Sequence, residues 1–447
     1  MGAVYLIVGV ILVLGVMVLV HEWGHFIVAR MCGVRVDVFS IGFGPRLFGW
    51  KKGPTDYRVS ALPLGGYVRM AGQDLSEVDA GDKPPTGAPD ELMSKPRWQR
   101  ALISFAGPAV NLLFPILLLT GLYSVAGVPY PAYLDAPVRV TGMSPNAEAA
   151  PSLLKAGDTI LSINGVATPK WEQALLALSK VGPGSTIKME IDESGVRRTI
   201  EVPVKDVSDP SKVLGYAPIR PIIDQVAPGT PADRAGLREG DVITAVNGNK
   251  IEYWEQFRQA TQSSNGQPMT LDLNRQGQTL QLMVTPKKGA ADSDEKVYQI
   301  GVLPRDETEY KHVSFSESVR LSGEKTVDTI GQTIDAVGKL FSGRVSIKQL
   351  QGPVGISHMA GQAVRRGPMD VIFLMVVISV NLGILNLLPI PILDGGNILL
   401  LAVEGIMRRD LSLSFKERFV QVGLVFLLVI FAVVMYNDIL RRISSHS

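Results

Sequence analysis

Five histidines occur in this chain of 447 residues, and two of them stand four apart in His21-Glu22-Trp23-Gly24-His25. On a helix, positions i and i+4 share a face, so both imidazoles can address one divalent ion. Glu22 lies beside them, with a carboxylate able to take a proton from an attacking water. The uncharged stretch Met1–Val20 leads directly into the motif. Ionisable groups inside a spanning helix are costly to keep and mark function by default. Cys32 is the single cysteine, which excludes an intrachain disulfide framework and a cysteine-rich zinc site. Metal ligands must therefore come from His, Asp or Glu.

Catalytic zinc usually takes three protein ligands and leaves a fourth position for water. The other histidines, His312, His358 and His446, lie outside every long apolar stretch. Asp394 is the better third ligand. It follows Asn386, Pro389 and Pro391 and precedes Gly395 and Gly396. The prolines must break the helix there, and the glycines allow a tight turn. Broken backbone at membrane depth is tolerated where it is buried in protein or lines a wet cavity.

The elements that would position these groups are four uncharged stretches, Met1–Val20, Ala101–Leu134, Val371–Leu393 and Phe419–Asn437. Each is long enough to cross a bilayer, which takes about 20 helical residues. Only 19% of residues are charged and 46% are hydrophobic, which argues against disorder and against an ordinary soluble enzyme. Lys and Arg number 44 against 42 Asp and Glu, so no global attraction to nucleic acid follows. Basic residues cluster after the first stretch, from Arg30 to Arg100, and between the third and fourth, from Arg408 to Arg418. The positive-inside rule then places both segments in the cytoplasm, and the long stretch between spans two and three outside with both termini. Arg441 and Arg442 lie on the wrong side of this topology. Span one reaches His21 after about 17 residues, roughly 26 Å of helix. Span three also enters from outside, so both arrive in the cytoplasmic part of the membrane.

Between spans two and three the chain repeats itself. Leu154 to Gly165 matches Leu237 to Gly248, with Asp158 on Asp241, Asn164 on Asn247 and Trp171 on Trp254, at an offset of 83 residues throughout. Each copy reads as a Gly-Asp turn, an apolar strand, an Asn-Gly turn and a helix starting near the Trp. Ile187 to Ile191 and Met269 to Leu273 alternate as strands of a half-exposed sheet. Asp74 to Lys95 is acidic and proline-bearing, and reads as a mobile cytoplasmic loop. Val327, Ile330, Ile334, Val337 and Phe341 form one apolar helical face, expected to pack on protein or on the membrane surface.

The repeat resembles tandem PDZ domains of the bacterial protease type, most specifically in Pro231 to Asp241; Ser152, Leu153 and Leu154 of the first copy depart from that signature. With the His-Glu-x-x-His motif and Leu393-Asp394-Gly395, essentially the whole chain resembles the site-2 protease family of intramembrane zinc metalloproteases. Within that family it looks like the bacterial proteases that cleave anti-sigma factors. The resemblance implies that His21, His25 and Asp394 bind Zn2+ and that Glu22 is the catalytic acid/base. It implies substrate contacts at Asn386, with Asn381 as a second candidate. Ile41 to Gly44 and Leu64 to Tyr67 match a membrane-reentrant β-hairpin whose Gly42 and Gly44 would face substrate. Asn397 stands where many relatives have His.

The expected architecture is a membrane protein with four transmembrane helices, that hairpin and two extracytoplasmic α+β PDZ domains. The expected segments are span one with its motif, 1–31; the hairpin region, 32–73; a cytoplasmic loop, 74–96; span two, 97–128; PDZ modules, 129–207 and 208–306; an amphipathic helix and connector, 307–366; span three, 367–396; a loop, 397–415; span four, 416–440; and a tail, 441–447. The expected partners are membrane lipid and single-span proteins of the anti-sigma-factor type, first trimmed outside the cell membrane. Peptide termini could be held by the PDZ pair, which could equally act as a size filter. The implied location is the bacterial inner membrane. Two rivals remain. A metal or proton transporter would keep a hydrolysis-free activity when Glu22 is changed to Gln, and a tethered peptide-binding scaffold would lose everything with its modules.

Overall fold

The computed structural model of the protein describes residues 2–73, 86–143, 147, 153–182, 184–205, 209–227, 229–288, 297–305, 307–343 and 352–444. Most of the acidic loop read from the sequence, Ser152 and the end of the tail lie outside the described residues. The chain forms two compact units, Met1–Val128 with His312–Arg442, and Pro129–Lys311 with Ile443–Ser447.

In the first unit, four helices are long and apolar enough to cross a membrane: Val4–Met31, Arg97–Ala126, Pro368–Asn386 and Ser414–Asp438. Helices suit that setting because every backbone group is satisfied within the segment. The first comprises α1 (Gly2–Val10), a π turn at Ile11–Gly15, and α2 (Val16–Met31). A Cβ on Gly9 would lie 2.5 Å from the Ala360 carbonyl, so α1 reaches its neighbour through a small residue.

After α2 come β1 (Val36–Lys52) and β2 (Thr55–Met70). The expected hairpin is bent further than the sequence suggests. Phe39 pairs with Val68 and also with Tyr57, and Ser40 with Tyr67 and also with Arg58. The first part of β1 is thus flanked on both sides by β2, while Trp50 and Lys52 pair with Tyr57 and Thr55. Gly42 and Gly44, at φ 89° and 87°, allow the bend. A Cβ on Gly42 would come 2.7 Å from the Leu62 carbonyl oxygen.

Helix α3 (Arg97–Ala126) carries Pro108 and Pro115 in its interior. A proline removes the donor that the carbonyl four residues earlier would use. For Pro115 that carbonyl belongs to Asn111, and the Ser379 hydroxyl donates to it at 2.7 Å. The freed group is thereby satisfied without water.

Helix α4 (Phe315–Phe341) packs against α3 with an unexpected face. Ser318, Ser322, Thr326 and Thr329 are buried, and each hydroxyl donates to the carbonyl four residues back. Val327 and Ile334 of the expected apolar face are exposed, which leaves the membrane surface as the expected contact for them, while Ile330 and Val337 are half-buried. Small side chains that close their own hydrogen bonds let helices approach closely in an apolar medium, where a large apolar face gains little from burial.

The remaining α-helices of this unit, among the described residues, are α5 (Pro353–Arg366), α6 (Pro368–Asn386), α7 (Asp394–Met407) and α8 (Leu413–Ser444). Asp394 therefore does not end the third span, as the sequence suggested; it opens a new helix, so the expected loop 397–415 is largely helical. Pro389 and Pro391 stop α6 from continuing, and an extended Leu393 at ψ 160° restarts the chain as helix.

The second unit contains two four-stranded antiparallel sheets. One is formed by β3 (Thr159–Ile163), β4 (Val166–Ala167), β5 (Ser185–Glu193) and β6 (Val196–Val204), in the order β4-β3-β5-β6. The other is formed by β7 (Val242–Val246), β8 (Asn249–Lys250), β9 (Met269–Arg275) and β10 (Gln278–Val284), in the order β8-β7-β9-β10. Asn164 and Asn247 both adopt φ 49° ahead of a glycine at φ 78°, the left-handed pair that closes a tight hairpin. Their Oδ1 atoms accept from Lys188 and Thr270, each at 2.8 Å. Asp158 and Asp241 are buried and accept from the Lys155 and Arg238 amides. Residues matched at the 83-residue offset thus make matching bonds.

Candidate metal centre

His21 and His25 lie one turn apart on α2, and both are buried. Their Nε2 atoms approach to 3.2 Å. Asp394, at the start of α7, brings Oδ2 to 3.2 Å from His21 Nε2 and Oδ1 to 3.4 Å from His25 Nε2. A tetrahedral zinc with bonds of about 2.0 Å separates its ligands by about 3.3 Å. Each imidazole stands at about that spacing from the other and from one oxygen of the carboxylate, and two imidazoles with one carboxylate are a donor set zinc accepts. The residues present therefore fit the metal.

Helix α3 lies antiparallel beside this pair and serves it from three positions one turn apart. The Ile103 carbonyl accepts from His25 Nδ1 at 2.8 Å. A carbonyl can only accept, so the neutral ring carries its proton on Nδ1 and keeps the Nε2 electron pair for the metal. Gly107 comes next. A Cβ there would lie 2.3 Å from His25 Nε2 and 2.8 Å from His21 Cε1, so only glycine leaves the rings their room. Asn111, fully buried, brings Nδ2 to 3.1 Å from His21 Nδ1. Gly24 of the motif has its own steric reason, since a Cβ would meet the Ala106 carbonyl oxygen at 2.6 Å.

The turn that delivers Asp394 is equally tight. Cβ atoms on Gly395 and Gly396 would each lie 2.3 Å from backbone oxygens, of Leu387 and Leu388 and of Ile390 respectively. Ile392 adopts φ 79°, a strained conformation for a β-branched residue. Such strain persists only where its surroundings enforce it.

A cavity of about 810 Å³ opens on the centre, lined by His21, Glu22, His25, Asn386, Asp394 and Asn397 among others. Glu22 is half-buried, and β2 lies against it: a Cβ on Gly66 would come 3.5 Å from Glu22 Cγ. Asn386 reaches the cavity wall. Asn381 does not line it; its Oδ1 accepts from Thr333 of α4 at 2.9 Å. Gly42 and Gly44 do not line it either, although Phe43 between them does, with Tyr67 and Val68. Sequence reasoning missed Gly107 and Asn111. A signal existed: Asn111 is the only amide side chain in the uncharged stretch Ala101–Leu134.

A His-His-Asp cluster that joins the first spanning helix to α7, with a glutamate beside it, is the donor set of a metallopeptidase. The profile described as Peptidase family M50 matches residues 9–430, and the chain belongs to that family. It is similar to "Protease RseP" of Yersinia pestis, 33% identical over 99% of this chain and 100% of that one. It is also similar to "Regulator of sigma-E protease RseP" of Escherichia coli strain K12, 33% identical over 96% of this chain and 97% of the relative. A "Putative zinc metalloprotease" of Vibrio cholerae is 32% identical over the same shares. The protein is a membrane-bound zinc metalloprotease that acts in regulated proteolysis.

Proposed function

We propose that this protein cuts peptide bonds within or near the spanning helix of single-span membrane proteins already trimmed outside by another protease. Anti-sigma factors and signal-peptide remnants are the substrate class. The observation that carries the reading is the convergence of His21, His25 and Asp394, with donor atoms 3.2 to 3.4 Å apart in pairs and Glu22 in the same cavity. Similarity to a regulator of sigma-E in Escherichia coli supports the anti-sigma-factor class.

His21, His25 and Asp394 would hold the zinc, which when bound acidifies water and polarises the scissile carbonyl. Glu22 takes the proton of the attacking water and returns it to the leaving amine. A helical substrate hides its carbonyls in internal hydrogen bonds and must unwind locally, and the lost bonds need replacement in an apolar medium. Residues 66–70 pair with β1 on one side. Their other edge is suited to receive an unwound strand beside Glu22. Asn386 adds an amide from the opposite wall, whereas Asn381 is assigned to holding α4. Phe43, Leu47, Phe48, Trp50 and Leu62 are exposed, which suits a sheet dipping into lipid.

In this reading the chain lies in the bacterial cytoplasmic membrane with its site near the cytoplasmic side, as the basic residues after the first span support. The two modules, read as PDZ domains outside, would engage the trimmed end of the substrate.

The test is Glu22→Gln, assayed by co-expression with a truncated single-span substrate and by zinc content after purification. Cleavage is expected to vanish while one zinc per chain remains. Continued cleavage by the variant, or an active wild type without zinc, would overturn the reading.

A further inference from the structure

The two metal-facing histidines are not held alike. His25 donates from Nδ1 to a main-chain carbonyl that can only accept, so its tautomer is fixed. His21 faces an amide instead, which can offer either a donor or an acceptor by half a turn about its last bond. With Asn111 Nδ2 toward Nδ1, the ring accepts there, its proton sits on Nε2, and Nε2 donates to Asp394 Oδ2 across 3.2 Å. In that arrangement Asn111 Oδ1 is buried without a hydrogen-bond partner among the described residues. With Oδ1 toward Nδ1, the ring donates there instead. Oδ1 gains a partner, and Nε2 keeps its electron pair for a cation.

We infer that Asn111 is a positioning residue that selects the Nε2-liganding tautomer of His21. This rests on the zinc reading above. The main chain of Asn111 is held in place, because Ser379 ties its carbonyl to α6 at 2.7 Å.

The experiment uses the full chain in detergent and compares wild type with N111L, of similar volume but without hydrogen bonding, and N111D, which accepts only. Zinc loading is titrated against a chelator buffer, and melting of the chelator-stripped proteins controls for folding. N111L is expected to need about 10–100-fold more free zinc for half-loading. N111D should half-load at the wild-type concentration or below it. The inference is overturned if N111L loads like wild type, or if N111D is weakened as much as N111L, since packing alone would then explain the site. Should N111L fail to accumulate, N111D decides: weakening by more than tenfold overturns the inference, and retention supports it. A wild type that binds no zinc would sink the metal reading itself, a different failure.

Discussion

Gly107→Ala isolates the steric requirement of the metal centre. The added methyl carbon would stand 2.3 Å from His25 Nε2, 2.7 Å from His25 Cε1 and 2.8 Å from His21 Cε1, where ordinary contact begins near 3.4 Å. Either the rings turn or α2 and α3 part, by about 1 Å at the closest pair. Overpacking of this kind costs about 1–3 kcal/mol of stability, which the fold can survive. A misplacement of about 1 Å in catalytic groups, by contrast, costs about 100-fold in rate. The variant should therefore accumulate in membranes, melt modestly earlier and cleave a single-span reporter about 100-fold more slowly, with weakened zinc retention. Gly121→Ala is the control, because it lies on the same helix with nothing within 4 Å of the added carbon. It should leave cleavage and zinc unchanged. A Gly107→Ala protein with one zinc and cleavage within threefold of wild type would refute the steric argument.

Two further perturbations address what stabilises each unit internally. Lys416 sits 3.0 Å from the buried carboxylate of Glu404, where Arg97 Nε is 3.9 Å away. Lys416→Met should cost about 3 kcal/mol by leaving that charge poorly compensated, and adding Glu404→Met should restore most of it; melting temperatures of the single and double variants check this. In the second unit, Arg275 forks onto fully buried Asp241 at 2.7 and 2.8 Å, whereas Arg198 stands 3.6 Å from Asp158. Arg275→Met should lower the melting temperature more than Arg198→Met, and an equal or reversed order would contradict the geometric reading.

Much of the chemistry was legible in the residues themselves. The spacing of His21 and His25 needs only helical geometry to put both rings on one face, and four uncharged stretches need only backbone hydrogen bonding in lipid to become helices. Paired prolines and glycines announced a broken turn around Asp394. The recurring Asn-Gly and Gly-Asp pairs marked turns, because few residues tolerate that backbone.

Tertiary structure decided the rest. No local rule tells whether Asp394 ends one helix or starts another; the packing of Gly395 and Gly396 against the carbonyls of Leu387, Leu388 and Ile390 does. The polar inner face of α4 ran against amphipathic reasoning because its surroundings reward close approach over apolar area. Asn111 could be suspected from its lone amide, but its role depends on α3 lying antiparallel to α2, which brings a residue 90 positions away to the far side of the His21 ring. Sequence patterns encode periodicity and chemistry along one element. The facing element, and so the tautomers and clearances of the site, is set only when helices distant in the chain pack together.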